Sequence, residues 1–543
     1  MIVKPIPVCR CLHALFLAAG AALAGCGGGG GGGAAFLPPA STGTPTPAPF
    51  NTTPVASAQV DAAVAKLDGL ADEVMRRTKI PGMAVAVVKD GQVVYAKGFG
   101  VRRVGSPERI DADTVFQLAS MSKPIAATVV AGLIGDGGVS WDTLAVSKLP
   151  GFSLSDPTVT QQLTIGDLFA HRSGLPGAAG DKLEDLGYDR QQILQRMRYV
   201  PLLPFRTTYG YANFGLTAGA EAAANTYGTD WATLSERILY APVGMNATSS
   251  RFVDFMQRAN RATPHVMKDS SYQALYQRQP DAQSPAGGVS SSVNDVARWM
   301  TLLLQNGSYK GRTVYAAGAL QPAITEQIAN GGASGPPPGR PNHYGYGFNV
   351  GTSSGGRLKL SHSGAFMLGA GTAFSVIPAA GVAIVTLTNA APVGAAEAVN
   401  LTFEQLVESG KSSDDFIVLF AKLFAPFYTP EGSLAGEQPP SQPVAALGIN
   451  AYTGTYASSY YGNAVVEPGG NGLVLRMGPT GARTFTLRHW SGNTYVYDLS
   501  GENAPPGSIA RVDFKPDASG VSASLTMDYY AEDIAHGTFT RTP

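Results

Sequence analysis

Cysteine is scarce in this chain, with three in 543 residues, at positions 9, 11 and 26. A fold stapled by disulfides is therefore excluded, and burial alone must hold the core together. Long apolar runs are equally scarce. The stretch Leu12 to Leu23 stands out, yet it is too short for an ordinary transmembrane helix. Charged residues make up only 14% of the chain, and 39 basic side chains balance 39 acidic ones. With no run of like charge, neither a nucleic-acid partner nor a polybasic membrane surface is expected. The seven histidines are scattered, without a His-Glu-x-x-His pattern or a Cys/His cluster, so no metal site is expected. No glycine-rich phosphate fingerprint follows a strand, and no cofactor is expected.

What is present begins with a targeting pattern. Lys4 and Arg10 precede the apolar stretch, which ends in Leu23-Ala24-Gly25-Cys26. This resembles a bacterial lipoprotein signal over residues 1–25, which implies lipidation at Cys26 after cleavage. Cys9 and Cys11 would leave with the signal. The glycines from Gly27 to Gly33 and the prolines from Pro38 to Pro49 read as a tether over residues 26–56. The expected location is the bacterial cell envelope, with a lipid anchor in the outer membrane or facing the periplasm.

The remainder divides into two domains. Helical periodicity runs from Gln59 to Arg77, followed by a hairpin: Met83 to Val88, an Asp90-Gly91 turn, and Val93 to Phe99. A strand-like run from Thr114 to Ala119 leads into an apolar helix. Helices and loops then dominate from Thr164 to Leu304. Strand signals return at Tyr346–Val350, Arg357–Ser361, Thr372–Ile377 and Val382–Thr388, and residues 395–424 read as helical. This order predicts an α+β fold over residues 57–428: an antiparallel sheet flanked by helices from both ends, with an inserted all-α domain. A Pro- and Gly-rich linker at residues 429–446 precedes short alternating runs, which predict a small all-β barrel or sandwich over residues 447–543.

The chemistry concentrates at Ser120-Met121-Ser122-Lys123, where the strand-like run meets the helix. A serine at a helix start presents its backbone N–H outward, as an oxyanion donor requires. A lysine three residues later returns to the same helix face, beside the serine hydroxyl. Two further motifs follow in order: Tyr211-Ala212-Asn213, in a loop of the helical region, and His362-Ser363-Gly364-Ala365, ending a strand.

The ordered set S-x-x-K, Y-x-N and [K/H]-[S/T]-G resembles the penicillin-recognising serine hydrolases. That family includes class C β-lactamases, D-alanyl-D-alanine carboxypeptidases, D-aminopeptidases and related esterases. The stretches Thr164–Pro176 and Pro285–Ser291 are similar to the same family. The resemblance implies a β-lactamase/transpeptidase-like fold and an acyl-enzyme on Ser120. It also implies proton handling by Lys123 and Tyr211, with the base undecided between them. Asn213, His362, Ser363, Gly364 and Ala365 would bind substrate and complete the oxyanion hole, the second donor being the Ala365 N–H. The segment from Tyr452 to Tyr456 onward resembles a lipocalin-like domain appended to some of these hydrolases.

His362 stands where β-lactamases usually carry lysine. A histidine is charged only below about pH 6.5 unless its environment shifts it, so a weakened hold on carboxylate-bearing substrates above neutrality is expected. The expected activity is cleavage of an amide or ester in a small-molecule or peptide substrate, D-amino-acid peptides ahead of esters and β-lactams behind both. A β-lactamase and a catalytically silent binding lipoprotein are the alternatives. Gly351-Thr352-Ser353-Ser354-Gly355 also matches G-x-S-x-G, but no helix follows it, so a glycine-rich turn is expected.

Overall fold

A computed structural model describes residues 49–135, 137–333, 340–470, 472–531 and 536–543. The expected signal, Cys26 and most of the tether lie outside these residues. Among the described residues, no helix is long and apolar enough to cross a membrane.

The Asp90-Gly91 turn takes left-handed φ angles of 49° and 77°. Two such residues in sequence make the tight hairpin turn whose twist matches the strands it joins. It connects β1 (Gly82–Lys89) to β2 (Gln92–Gly100). Six later strands complete the sheet: β3 (Ile328–Ala333), β4 (Pro341–Tyr344), β5 (Asn349–Thr352), β6 (Leu358–Phe366), β7 (Ala370–Ile377) and β8 (Val382–Thr388). The order is β2-β1-β8-β7-β6-β5-β4-β3, antiparallel throughout, with β6 paired to β7 from Leu360↔Val376 to Phe366↔Ala370.

The two-residue period of β1 divides the core. Met83, Val85 and Val87 pack with α1 (Ser57–Val64), α2 (Leu67–Thr78) and, from the far end of the domain, Val399 and Phe403. Ala84, Ala86 and Val88 face the other way, into the cluster built around α3 (Ser122–Ile134). That helix is buried on nearly every side, which explains its mostly apolar sequence after Lys123.

Several expectations need correction. The single helix expected from Gln59 is two, with a turn at Ala65 and Lys66 that lets both Ala63 and Leu67 reach one core. The strand expected over Thr114–Ala119 forms a ladder only at Phe116–Gln117, against Ser290–Ser291, with a single bridge from Val115 to Arg261, and the chain turns at Ala119. The edge strand β3 and its neighbour β4 carry no clear alternation, so the sequence does not signal them.

The C-terminal strands close into a barrel of eight: β9 (Gly454–Ser458), β10 (Gly462–Gly469), β11 (Gly472–Met477), β12 (Arg483–Ser491), β13 (Thr494–Asp498), β14 (Ile509–Pro516), β15 (Ser522–Met527) and β16 (Thr538–Arg541). Its interior is filled by side chains, including Tyr456, Leu475, Tyr497, Leu525 and Phe539, all fully buried. The linker is strapped to it, with Ser433 bonded to Asp528 and the Ile509 N–H donating to the Glu431 carbonyl. Barrel and helical region share one hydrophobic cluster, where Leu183, Ile193 and Phe214 meet Tyr460 and Tyr461.

Candidate active site

Ser120 sits on a 3-10 turn, Ala119–Met121, that feeds directly into α3. Ala119 holds a left-handed φ of 48°. Backbone of this kind costs a non-glycine residue about 1–3 kcal/mol and persists only when its surroundings impose it. Here the clamp is Ser122. Its hydroxyl donates to the Ala119 carbonyl at 2.6 Å and accepts from the Val289 N–H at 3.0 Å.

Lys123 is fully buried, one turn behind the serine. Its Nζ lies 3.0 Å from Ser120 Oγ, 2.7 Å from Asn213 Oδ1 and 2.9 Å from the Ala286 carbonyl oxygen. Asn213 opens α5 (Asn213–Thr226) and faces Asp181, the first residue of α4 (Asp181–Asp185). Its Nδ2 donates to both Asp181 oxygens, at 3.0 and 3.3 Å, which turns Oδ1 toward the lysine. Two of the three lysine contacts are thus pure acceptors. A neutral amine, with two N–H groups and one lone pair, fits them: the N–H groups go to Asn213 and Ala286, and the lone pair faces the Ser120 hydroxyl. Burial drives the Lys123 pKa well below the ordinary lysine range, against the opposing charge of Asp181. Asp181 is itself pushed up to about 8 by burial and by neighbouring Glu184.

Tyr211 closes the other side. Lys123 Nζ stands 4.6 Å from its ring centre. Burial raises the phenol well above its usual pKa, more than the nearby Ser120 hydroxyl pulls it down. The electrostatics therefore favour Lys123 as the base and leave Tyr211 a protonated donor. The loop bearing Tyr211 is pinned by His171, whose Nδ1 accepts from the Ala212 N–H at 3.2 Å.

Strand β6 delivers the third motif. His362 Nδ1 lies 2.7 Å from the Ser363 carbonyl oxygen, and Nε2 lies 2.9 Å from the Tyr344 hydroxyl. A neutral imidazole satisfies both, donating from Nδ1 and accepting at Nε2. Burial, the larger cause, holds the His362 pKa well below 6.5, and a protonated Lys123 would lower it further. Burial therefore disfavours the charged ring that a pH-dependent carboxylate anchor at this position needs. Affinity for carboxylate-bearing substrates should stay flat between about pH 5.5 and 8. A KM that rises tenfold across that interval, measured with such a substrate, would contradict this.

Ser363 points to the opposite face of β6, as strand alternation dictates. There it hydrogen-bonds Glu397, in the first turn of α6 (Ala395–Ser409), whose carboxyl burial pushes up to about 7. Gly364 presses against the nucleophile turn. A Cβ there would collide with the Leu118 carbonyl oxygen and the Thr372 hydroxyl, which itself donates to Leu118 O at 2.8 Å. The next residue is Ala365, where the second oxyanion donor is expected. The structure thus gathers Ser120, Lys123, Tyr211, Asn213, His362, Gly364 and Ala365, and turns the Ser363 side chain away.

Residues 67–408 match the beta-lactamase family model. The chain belongs to the beta-lactamase family. Residues 438–539 match a domain of unknown function, DUF3471. Among relatives, the unguisins hydrolase ungD of Aspergillus violaceofuscus is 26% identical over 340 residues, covering 58% of this chain and 59% of its own length. Penicillin-binding protein 4 of Amycolatopsis lactamdurans is 27% identical over 260 residues, 46% of this chain and 66% of its own. The chain thus spans less than two thirds of the length of these curated relatives. In fold, the octameric penicillin-binding protein homologue from Pyrococcus abyssi superposes with a TM-score of 0.57 at 17% identity, covering 88% of this chain and all of that one.

Several residues of this beta-lactamase family site lie outside the motifs. Asp181 orients Asn213. Arg278 pairs with Glu184, its Nε stands 3.8 Å from Glu502 of the barrel, and its carbonyl accepts from Gln117 Nε2 at 2.8 Å. None carries a local signal, because each is an ordinary polar residue until the fold buries it. Beside them opens a cavity of about 920 Å³, walled by residues that include Asp185, Tyr188, Arg278, Leu368 and Glu502. The G-x-S-x-G match is a turn after β5, its Ser353 hydroxyl bonded to Glu408 at 2.5 Å. Among the described residues, no cluster of His, Cys, Asp and Glu could hold a metal ion.

Proposed function

We propose that this protein is a serine hydrolase that cleaves an amide or ester through an acyl-enzyme on Ser120, with D-amino-acid peptides ahead of simple esters and β-lactams behind both. The observation that carries this reading is the Lys123 amine, 3.0 Å from the Ser120 hydroxyl with its N–H groups occupied elsewhere. In the attack step Oγ bonds the substrate carbonyl carbon while its proton passes to Nζ. The negative oxygen that forms is met by backbone N–H groups at Ser120 and Ala365, each worth about 3 kcal/mol in the transition state. The proton on Nζ then passes, with Tyr211 beside it, to the leaving amine or alkoxide. Water attacks the acyl-enzyme by the same route in reverse. A neutral His362 in place of a permanent cation supports the peptidase and esterase readings over the β-lactamase one.

The test is an intact-mass time course of the protein with benzylpenicillin, beside Ser120→Ala. A lasting adduct of one equivalent, absent from the variant, is expected of a penicillin-sensitive peptidase. Rapid turnover of penicillin would make the protein a β-lactamase instead. No adduct, no turnover and no Ser120-dependent cleavage of D-peptides or esters would refute the hydrolase reading.

A further inference from the structure

We propose that the C-terminal barrel is an integral part of the active site, and that Glu502 is its positioning residue, holding the turn that follows the oxyanion strand. The catalytic part of this inference rests on the serine hydrolase reading above.

Strand β6 carries Ala365 and ends at Phe366, where the chain turns back into β7. The N–H groups of the turn point toward the barrel. Glu502 takes two of them: Oε1 accepts from Met367 N–H at 2.7 Å and Oε2 from Leu368 N–H at 3.3 Å. This carboxylate is 6% exposed, so its bonds compete little with water.

The same carboxylate faces Arg278, whose carbonyl holds Gln117, three residues before the nucleophile. One barrel side chain therefore ties together the wall that bears Ala365 and the wall that bears Ser120. Its own loop is anchored. Asn503 Nδ2 donates to Asp185 at 2.9 Å, and the Tyr529 hydroxyl donates to the Asn503 carbonyl at 3.1 Å. Leu368 and Glu502 both line the 920 Å³ cavity beside Arg278, so the barrel loop and the turn after β6 share one wall.

The physical demand is one of placement. An oxyanion donor acts only within a few tenths of an ångström of where the charge develops, and a supporting shell must hold it there. The second donor is two residues from Met367, in a short hairpin where Ala365 pairs with Gly371 across the ladder and Phe366 packs against Ala119. Releasing the Met367 and Leu368 amides lets that hairpin relax away from Ser120.

The experiment uses the full chain, with Glu502→Ala and Glu502→Gln. Two quantities are read: kcat and KM on a p-nitrophenyl ester, and amide hydrogen exchange of the ligand-free protein over residues 362–368. Glu502→Ala is expected to lower kcat about tenfold to a hundredfold with KM within about threefold, the signature of a contact that matters in the transition state. Exchange at Met367 and Leu368 should quicken by at least about tenfold. Glu502→Gln keeps the shape and one acceptor oxygen, and should recover part of both losses. It also carries the test if the alanine variant fails to fold. A kcat within twofold of wild type with unchanged exchange would overturn the proposal. So would a glutamine variant no better than alanine with the whole barrel exchanging faster, because Glu502 would then merely dock the domain. If the wild type shows no Ser120-dependent chemistry while exchange still responds at 367 and 368, the hydrolase reading fails and the mechanical tie stands.

Discussion

Replacing Lys123 with methionine should lower kcat/KM by about a thousandfold to ten-thousandfold, the range that a well-placed general base supplies. Methionine fills the space but offers Ser120 no proton acceptor, and it strands the Asn213 and Ala286 oxygens that the amine now satisfies. Arginine should do no better, because a guanidinium stays protonated and cannot act as a base. Tyr211→Phe is expected to cost less, about tenfold to a hundredfold, since a buried phenol above its usual pKa donates and does not abstract. The pH profile gives the sign. A base must be neutral to work, so activity falls as pH drops through the Lys123 pKa. Burial has moved that value well below the ordinary lysine range, so the protein should be active at neutrality. An acid limb near pH ~10.4 would mean that burial has not lowered Lys123, and a Tyr211→Phe loss exceeding that of Lys123→Met would assign the base to the tyrosine.

Arg278→Leu should destabilise the fold by about 3–5 kcal/mol, the usual consequence of removing one partner from a buried ion pair. The guanidinium is 7% exposed and stands among Glu184, Glu502 and Asp185. Even with it present, burial pushes Glu502 up to about 8 and raises Asp185. Without it, the carboxylates must be carried uncompensated or protonated. The loss should therefore grow with pH: below the carboxyl pKa values the groups are neutral and the leucine costs little, while above them the ionised forms have no counter-charge. Denaturant unfolding of the full chain at acid and mildly alkaline pH measures this. A deficit below about 1 kcal/mol, or one independent of pH, would mean that water reaches the cluster.

The two effects separate what each part of the site contributes. Lys123 acts on the reacting atoms, whereas Arg278 keeps two domains and three carboxylates in register around them. Loss of activity in Arg278→Leu would follow from displaced walls, through the same Gln117 and Glu502 contacts that frame the cleft.

Much was legible because it is local. Asp90-Gly91 predicts its hairpin from the φ angles two residues must adopt, and the turn is found with both in the left-handed region. The mostly apolar run after Lys123 predicts a buried helix, and α3 is one. The spacing of Ser120 and Lys123 places their side chains one helical turn apart wherever that helix goes. The eight-stranded closure of the barrel was half visible, as alternating runs, while its first strand was seen only as the start of a domain.

What tertiary structure alone decided is the state of the site. Lysine, tyrosine and histidine have ordinary pKa values in any sequence, and only burial makes Lys123 a plausible amine, Tyr211 a persistent phenol and His362 a neutral ring. Ser363 was grouped with substrate-binding residues by its motif, yet strand parity sends its hydroxyl to Glu397. Asp181, Arg278 and Glu502 lie 61, 158 and 382 positions from Ser120 in the chain. No local pattern relates residues so far apart. Thus the order of the motifs and the helix-turn spacing of Ser120 and Lys123 were settled by sequence, because neighbouring backbone geometry is short-ranged. The protonation states, and the reach of the barrel into the cleft, were settled by packing, because desolvation and charge depend on everything the fold brings near.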